Sequence, residues 1–317
     1  MANNLLITII LFTPLFWAVV IWKARRHEAR AEASHPPEGQ FLMVNGHRIH
    51  VIVRGQGPDL VLIHGASGST RDMTFELVKH LEGRYRVLIF DRPGLGYSDR
   101  VSSSGATLVQ QAEILSEAAA QLEAHQPIVM GQSYGGGVAL AWAAHFPDRL
   151  AALVPVAAVS SIWASPLDRL YRIMSHRWLG PIAIPLLTAF VSDSYVDKVM
   201  ASIFAPQNEP KGFGAFFGPG LTLRRKTLRA NALQRASLLN EIHTLFPLYG
   251  KICVPTEIVH GGEDTTVPAW NHAERLVTRI SGANLTLLPG IGHMPQHVAA
   301  CDVSAAIDRA AIRAGLH

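Results

Sequence analysis

The stretch "VMGQSYGGG", residues 129–137, sets one serine, Ser133, among four glycines directly after an apolar run. A serine hydroxyl is a weak nucleophile at neutral pH, so it needs a base to take its proton and a carboxylate to orient that base. Both residue types occur downstream at equivalent places. Asp264 follows the apolar run "TEIVHGG" in "HGGEDTTVP", and His293 follows "NLTLLPG" in "GIGHMPQH". Together the three can transfer an acyl group through a covalent serine intermediate.

Such a trio works only if elements hold it. Gly131-Gln132-Ser133-Tyr134-Gly135 lies between "PIVM", which reads as a strand, and "GGVALAWAAHF", which reads as a helix. That is the setting of a nucleophile elbow, where the serine takes a strained conformation and small neighbours keep strand and helix from colliding. The helix N-terminus adds partial positive charge near a developing oxyanion. A bland alternative, a capping serine at a helix start, explains the serine but not the matching Asp264 and His293.

The runs "DLVLIHG", "YRVLIFD", "PIVMGQS", "LAALVPVAA", "TEIVHGG" and "NLTLLPG" alternate with helical stretches, predicting parallel strands buried on both faces. "FLMV" and "HRIHVIV" flank Asn45-Gly46 and predict an antiparallel hairpin at the start. Helices are expected over 70–82, 108–123, 268–280 and 296–315, with Thr70 and Thr107 as N-caps. Between Ser160 and Pro247 the alternation lapses into prolines, aromatics and helical pieces such as Thr222 to His243. The expected fold is an α/β, mostly parallel, doubly wound sheet. Its core covers 40–159 and 248–317, and a mainly helical cap covers 160–247. Asp264 and His293 then sit beyond strand C-termini, where open α/β sheets place their sites.

The order Ser133, Asp264, His293 is that of the α/β-hydrolases, and from Gln40 onward the chain resembles that family. The resemblance places Ser133, Asp264 and His293 on the family's triad. It makes "HGASG", residues 64–68, similar to the His-Gly oxyanion loop, so that the backbone N–H groups of Ala66 and Tyr134 face the substrate oxygen. "DRPGLGYSD", residues 91–99, resembles a structural turn of the family; Gly94 and Gly96 lack the third glycine of a dinucleotide fingerprint. Glu263 is expected to face solvent, His64 and His260 to be hydrogen-bonded structural histidines, and His297 to make a surface or lid contact. A serine, where epoxide hydrolases and dehalogenases of this family carry aspartate, implies acyl transfer with no metal or organic cofactor. Trp163, Phe190, Phe204, Phe213, Phe216 and Phe217 in the cap fit a lipophilic ester substrate or the cap's own small core. Hydrolysis of C–C, amide or lactone bonds and acyl transfer use the same triad. A non-catalytic binding protein on this scaffold is the alternative of a different class.

With 49% hydrophobic and 16% charged residues, the chain is too apolar for a disordered protein. Leu5 to Trp22, "LLITIILFTPLFWAVVIW", carries no charge and as a helix is about 27 Å long, close to the roughly 30 Å of a bilayer core. It is expected to be a transmembrane anchor, followed by a polar tether over 23–39. A cleaved signal fits less well, because "MANN" lacks a positive n-region, and a buried core helix is the third option. Lys23, Arg25, Arg26 and Arg30 after the span place the globular part in the cytoplasm by the positive-inside rule. "RRKTLR", residues 224–229, reads as a solvated basic helix face, with anionic lipid headgroups as an alternative partner. The net charge of +4 comes with no nucleic-acid motif, so no nucleic-acid partner is expected. Cys253 and Cys301 are expected to be reduced and buried.

Overall fold

The computed structural model describes residues 2–316, with side chains from Phe12 onward. Among the described residues one sheet holds strands β1 (Gln40–Val44), β2 (His47–Arg54), β3 (Asp59–Ile63), β4 (Arg86–Phe90), β5 (Ile128–Gln132), β6 (Ala152–Val156), β7 (Glu257–Gly261) and β8 (Asn284–Leu288). Their spatial order is β1-β2-β4-β3-β5-β6-β7-β8. The first two strands run antiparallel, and every pair from β4–β3 to β7–β8 is parallel. Asn45 and Gly46 both take positive φ, 50° and 81°, which is what a two-residue turn between right-twisted strands requires.

Because strand side chains alternate faces, the central strands divide between two cores. Val61 and Ile63 of β3 and Leu88 and Phe90 of β4 point into one, and Leu60, Leu62, Val87 and Ile89 into the other. Helices α3 (Leu108–Gln121), α4 (Tyr134–His145) and α10 (Ala273–Val277) cover the first core. The second is covered by α2 (Thr70–Thr74), a 3-10 turn at Leu77–His80, and α12 (Ala300–Arg313), which follows the short α11 (Pro295–Val298). Burial on both faces is why these strands read as unbroken apolar runs.

Between β6 and β7 lie α5 (Arg169–Ser175), α6 (Gly180–Phe190), α7 (Asp193–Phe204), α8 (Phe213–Phe217) and α9 (Arg225–Leu245), with no strand among the described residues of this insertion. Several helix boundaries differ from expectation: the stretch 268–280 is α-helical only over Ala273–Val277, and 296–315 divides into α11 and α12. Thr107 caps α3 through a capping box with Gln110, but the cap of α2 is Ser69, whose side chain accepts from Arg71 N, and the helix ends at Thr74.

The N-terminal helix α1 (Ala2–Ser34) is where the structure departs most from expectation. No helix among the described residues is long and apolar enough to cross a membrane. The expected span Leu5–Trp22 begins among residues whose side chains lie outside the described set. The tether over 23–39 is corrected: the helix continues to Ser34 and docks. Glu28 accepts from Arg225 at 2.7 Å and Glu32 from Arg224 at 2.8 Å, while Val20, Ala24 and Ala31 are buried. The "RRKTLR" stretch is therefore no solvated face; its first two guanidinium groups hold α1, and Arg229 donates to Met174 O and His176 O. Both cysteines are also corrected. Cys253 and Cys301 are exposed, one in the loop before β7 and one on the outer side of α12.

Candidate active site

Ser133 leaves β5 and enters α4 at φ 53°, a left-handed conformation that a non-glycine residue keeps only when its surroundings enforce it. The enforcement is visible. Its N–H donates to Val156 O at 2.9 Å, and its carbonyl accepts from Gly136 N at 3.0 Å and Val159 N at 3.1 Å. A Cβ at Gly131 would overlap the Gly135 carbonyl, and one at Gly135 would overlap Ile63 O, so strand, turn and helix approach too closely for side chains there.

The structure brings the three expected residues together. His293 Nε2 lies 2.9 Å from Ser133 Oγ, and His293 Nδ1 lies 2.7 Å from Asp264 Oδ2. An ionised Asp264 accepts only, so Nδ1 carries the hydrogen and Nε2 is left to accept from the serine. Asp264 is fixed in turn, Oδ1 accepting from Thr266 N and Val267 N at 2.8 Å each. Burial raises its pKa, but hydrogen bonds from His260 and His293 and the charge of His293 outweigh this and hold the carboxyl well below its usual range. Gln132 Nε2 donates to His293 O at 3.1 Å, tying the elbow to the histidine loop.

Ala66 follows β3 and Tyr134 follows the serine. Among the described residues neither backbone N–H donates to a protein acceptor, which leaves both free for a ligand oxygen. Behind Ala66 sits Arg92, fully buried, donating to His64 O at 2.9 Å and Gly65 O at 3.0 Å, with its guanidinium 4.2 Å over the Tyr134 ring. Burial lowers its pKa to about 10, so it remains charged at neutral pH. His64 is structural, as expected. Burial and then the Arg92 charge lower its pKa to about 4, and its neutral Nε2 accepts from Arg92 N at 3.0 Å.

Glu263 is exposed, as expected. His297 makes the expected contact with the insertion, packing 4.6 Å from the Phe213 ring, but it is buried and not at the surface, pairing with Asp72 at 2.6 Å. His260 touches the site more directly than its reading as a structural histidine implied, its Nε2 standing 3.2 Å from Asp264 Oδ2. Its signal was available, since it lies four residues before Asp264 at the end of the same strand. Arg92, a lone basic residue in a turn otherwise read as structural, was equally visible.

His272 was not singled out by sequence. Its Nδ1 accepts from Ser160 N and Ser161 N at 3.1 Å each, and burial, then His260, lower its pKa from 6.5 to about 4. The unfolded chain therefore binds a proton that the folded chain refuses between these values, and stability falls as pH drops from 6.5 to about 4. In His272→Asn, where an amide oxygen can replace Nδ1 as acceptor, the thermal midpoint is expected to fall less steeply across that window. An unchanged slope in parallel thermal melts would contradict this.

Ser133 and His293 line a cavity of about 390 Å³ whose remaining wall is mostly apolar, including Leu187, Val199, Met200, Ile203, Phe204 and Phe213. Phe217 also faces it, whereas Phe190 is half exposed beneath the Lys23 ammonium, Phe216 stacks under Arg71 and Trp163 packs on His272. The expected aromatic set is thus divided between the cavity and the insertion's own packing.

Known proteins share this fold. The family model described as alpha/beta hydrolase fold matches residues 58–300. A 2-hydroxy-6-oxononadienedioate/2-hydroxy-6-oxononatrienedioate hydrolase of Klebsiella pneumoniae is 30% identical over 268 residues, 78% of this chain and 85% of that protein. Among solved structures, a thermophilic esterase from Thermogutta terrifontis superposes with a TM-score of 0.71 at 20% identity, over 87% of this chain and 99% of that one. A membrane phospholipase A superposes with a TM-score of 0.66 at 20% identity, over 98% of this chain and 99% of that one. With a family match that spans most of the chain and both cores of the sheet, this protein belongs to the alpha/beta hydrolase fold family and is a hydrolase.

Proposed function

We propose that the protein hydrolyses a hydrophobic carboxylic ester through an acyl-Ser133 intermediate. The observation that carries this reading is the hydrogen-bonded chain Ser133–His293–Asp264 opening on a largely apolar cavity. Ser133 Oγ attacks the acyl carbon as His293 Nε2 takes its proton. Asp264 steadies the imidazolium, and the Ala66 and Tyr134 N–H groups receive the oxyanion. Collapse of the tetrahedral intermediate breaks the acyl C–O bond, and His293 returns the proton to the leaving alcohol. Water then attacks the acyl-enzyme with His293 again as base, releasing the acid and restoring the serine hydroxyl.

The relative from Klebsiella carries a name that describes a dianionic substrate and suggests C–C hydrolysis as the second reading. The apolar wall favours the ester, because a dianion needs more than Arg235, the one guanidinium that lines this cavity among the described residues. A panel of p-nitrophenyl esters of graded acyl length separates the two. Turnover is expected to rise beyond acetate, and Leu187→Trp, which narrows the cavity, is expected to move the optimum to shorter acyl groups and reduce kcat/KM for the longest by roughly tenfold. Absence of turnover on the whole panel, with activity on a ring-cleavage dienedioate, would decide for C–C hydrolysis.

We read the uncharged stretch 5–22, part of whose side chains lie outside the described residues, as a membrane anchor ahead of the docked half of α1, with the catalytic part on the cytoplasmic side. Three features support this. The uncharged stretch 5–22 precedes four basic residues. Phe12, Leu15, Phe16 and Trp22 are at least half exposed. The alignment with the membrane phospholipase A covers 98% of the chain, so it must take in most of this helix. Removal of residues 1–22 is expected to move the enzyme from the membrane to the supernatant fraction with esterase activity retained.

A further inference from the structure

The loop carrying Ala66 is held from two sides, and only one belongs to the core. On the core side Gly65 O accepts from Arg92 Nη2 at 3.0 Å, Gly68 N at 3.3 Å and the neutral His64 Nδ1–H at 2.9 Å. Because a trans peptide is planar, fixing that carbonyl fixes the direction of the Ala66 N–H at the opposite edge of the same plane.

The other side is the insertion. Ser67, the next residue, has φ 60°, a conformation unfavourable for any residue with a Cβ. Every polar group of Ser67 is bonded to a residue between β6 and β7. Its N–H donates to Asn231 Oδ1 at 3.0 Å, its hydroxyl accepts from Asn231 Nδ2 at 2.8 Å, and its carbonyl accepts from Thr222 Oγ1 at 2.7 Å. Asn231 is itself buried on α9, one turn from Gln234, which donates to Pro93 O at 2.8 Å and accepts from Arg92 Nη1 at 2.8 Å. One face of α9 thus reaches both the strained residue after Ala66 and the arginine behind it.

We infer that the insertion completes the oxyanion hole: Asn231, aided by Thr222, is a positioning residue that holds Ser67 in its strained conformation and so limits, through the Ala66 backbone, the plane that carries the Ala66 N–H from the side opposite to Arg92. This rests on the reading of Ala66 as an oxyanion donor. The peptide planes on either side of Ala66 are pinned by different parts of the chain, Gly65 O by Arg92 and Ser67 N by Asn231. Loss of the Asn231 contacts frees Ser67 to leave φ 60°; the Ala66–Ser67 plane swings with it, and the preceding plane, which carries the Ala66 N–H, is then held from the core side alone. A misplacement of about 1 Å in such a donor is enough to lower turnover by up to about 100-fold. Substrate binding in the ground state is governed mainly by the apolar wall, which Asn231 does not line, so it is expected to change far less than turnover.

The test uses the full-length protein with a p-nitrophenyl butyrate assay on wild type, Asn231→Ala, Thr222→Ala and the double variant. Asn231→Ala is expected to lower kcat by about tenfold or more with KM changed less than about twofold. Inhibition by an alkyl trifluoromethyl ketone, which forms a tetrahedral oxyanion on the serine, is expected to weaken by the same factor as kcat, and inhibition by a medium-chain alcohol, which fills the apolar wall and carries no anionic oxygen, to stay constant. Thr222→Ala is expected to move in the same direction by less. An Asn231→Ala enzyme with unchanged kcat, or with inhibition by the alcohol weakened in step with kcat, overturns the inference in favour of a purely structural role. Should Asn231→Ala fail to fold, Thr222→Ala, which removes one hydroxyl, decides by the same ratios. A wild type that neither turns over esters nor reacts at Ser133 overturns the functional reading and this inference with it, an outcome distinct from an active wild type with an unaffected variant.

Discussion

Ser133→Ala is expected to lower ester turnover by roughly a million-fold while leaving the fold intact. Among the described residues, the oxygen lost is the only one within hydrogen-bond reach of His293 Nε2, at 2.9 Å. Without it His293 and Asp264 have no proton to move, so adding His293→Ala to the serine variant is expected to change almost nothing more. The same position offers a separate check on strain. Ser133 sits at φ 53°, which glycine accepts and residues with a Cβ resist, so Ser133→Gly is expected to be inactive yet about 1 kcal/mol more stable than Ser133→Ala. Steady-state kinetics and chemical denaturation of both variants measure the two effects independently. A serine variant that keeps a tenth of the wild-type rate would remove the nucleophile from this account.

Asp264→Asn is expected to reduce kcat by about 10⁴-fold, and the surroundings of the carboxylate say why. Oδ1 accepts from the N–H groups of Thr266 and Val267, so an amide at this position turns its oxygen toward them and its NH₂ toward His293. Facing that donor, Nδ1 must become an acceptor. The hydrogen then moves to Nε2, which can no longer take the serine proton. His260, 3.2 Å from Oδ2, meets the same NH₂ and gives no relief. The carboxyl pKa is held below its usual range in the folded state, so the stability it contributes is present above the ordinary carboxyl value of about 4 and is lost as pH falls through the lowered value. The asparagine variant is therefore expected to be less stable than wild type at pH 7, with the gap narrowing in acid. Thermal melts at several pH values together with kcat measurements read both parts, and a gap that widens on acidification would contradict the charge assignment.

The legible parts of this chain were those in which one local rule governs the outcome. Strands buried on both faces leave unbroken apolar runs, and a positive-φ hairpin leaves Asn-Gly. A serine at a strand-to-helix corner leaves glycines where backbones touch. Positions at strand ends then brought Asp264 and His293 to the serine without any long-range information. What stayed hidden depends on partners distant in sequence. Nothing local shows that Arg224 and Arg225 meet Glu32 and Glu28 across more than half the chain, which is why a docked helix read as a tether and a pairing surface as a solvated one. His297 and Asp72 form a buried pair over a similar separation, and Asn231 reaches Ser67 only because the insertion folds back over the loop. Cys253 and Cys301 failed for the opposite reason: a residue type that usually packs inside lies here in a loop and on an outward helix face.

Reaction with a fluorophosphonate tests the central claim most directly, because the reagent needs a nucleophilic serine, its histidine base and an oxyanion site at once. Intact-mass analysis of wild type, Ser133→Ala and His293→Ala after equal exposure is expected to show one adduct on the wild type, located by peptide mapping at Ser133, none on the serine variant and a severely slowed reaction on the histidine variant. A wild type that gains no mass, or gains it at a residue other than Ser133, would contradict the assignment of this cavity as a serine hydrolase site.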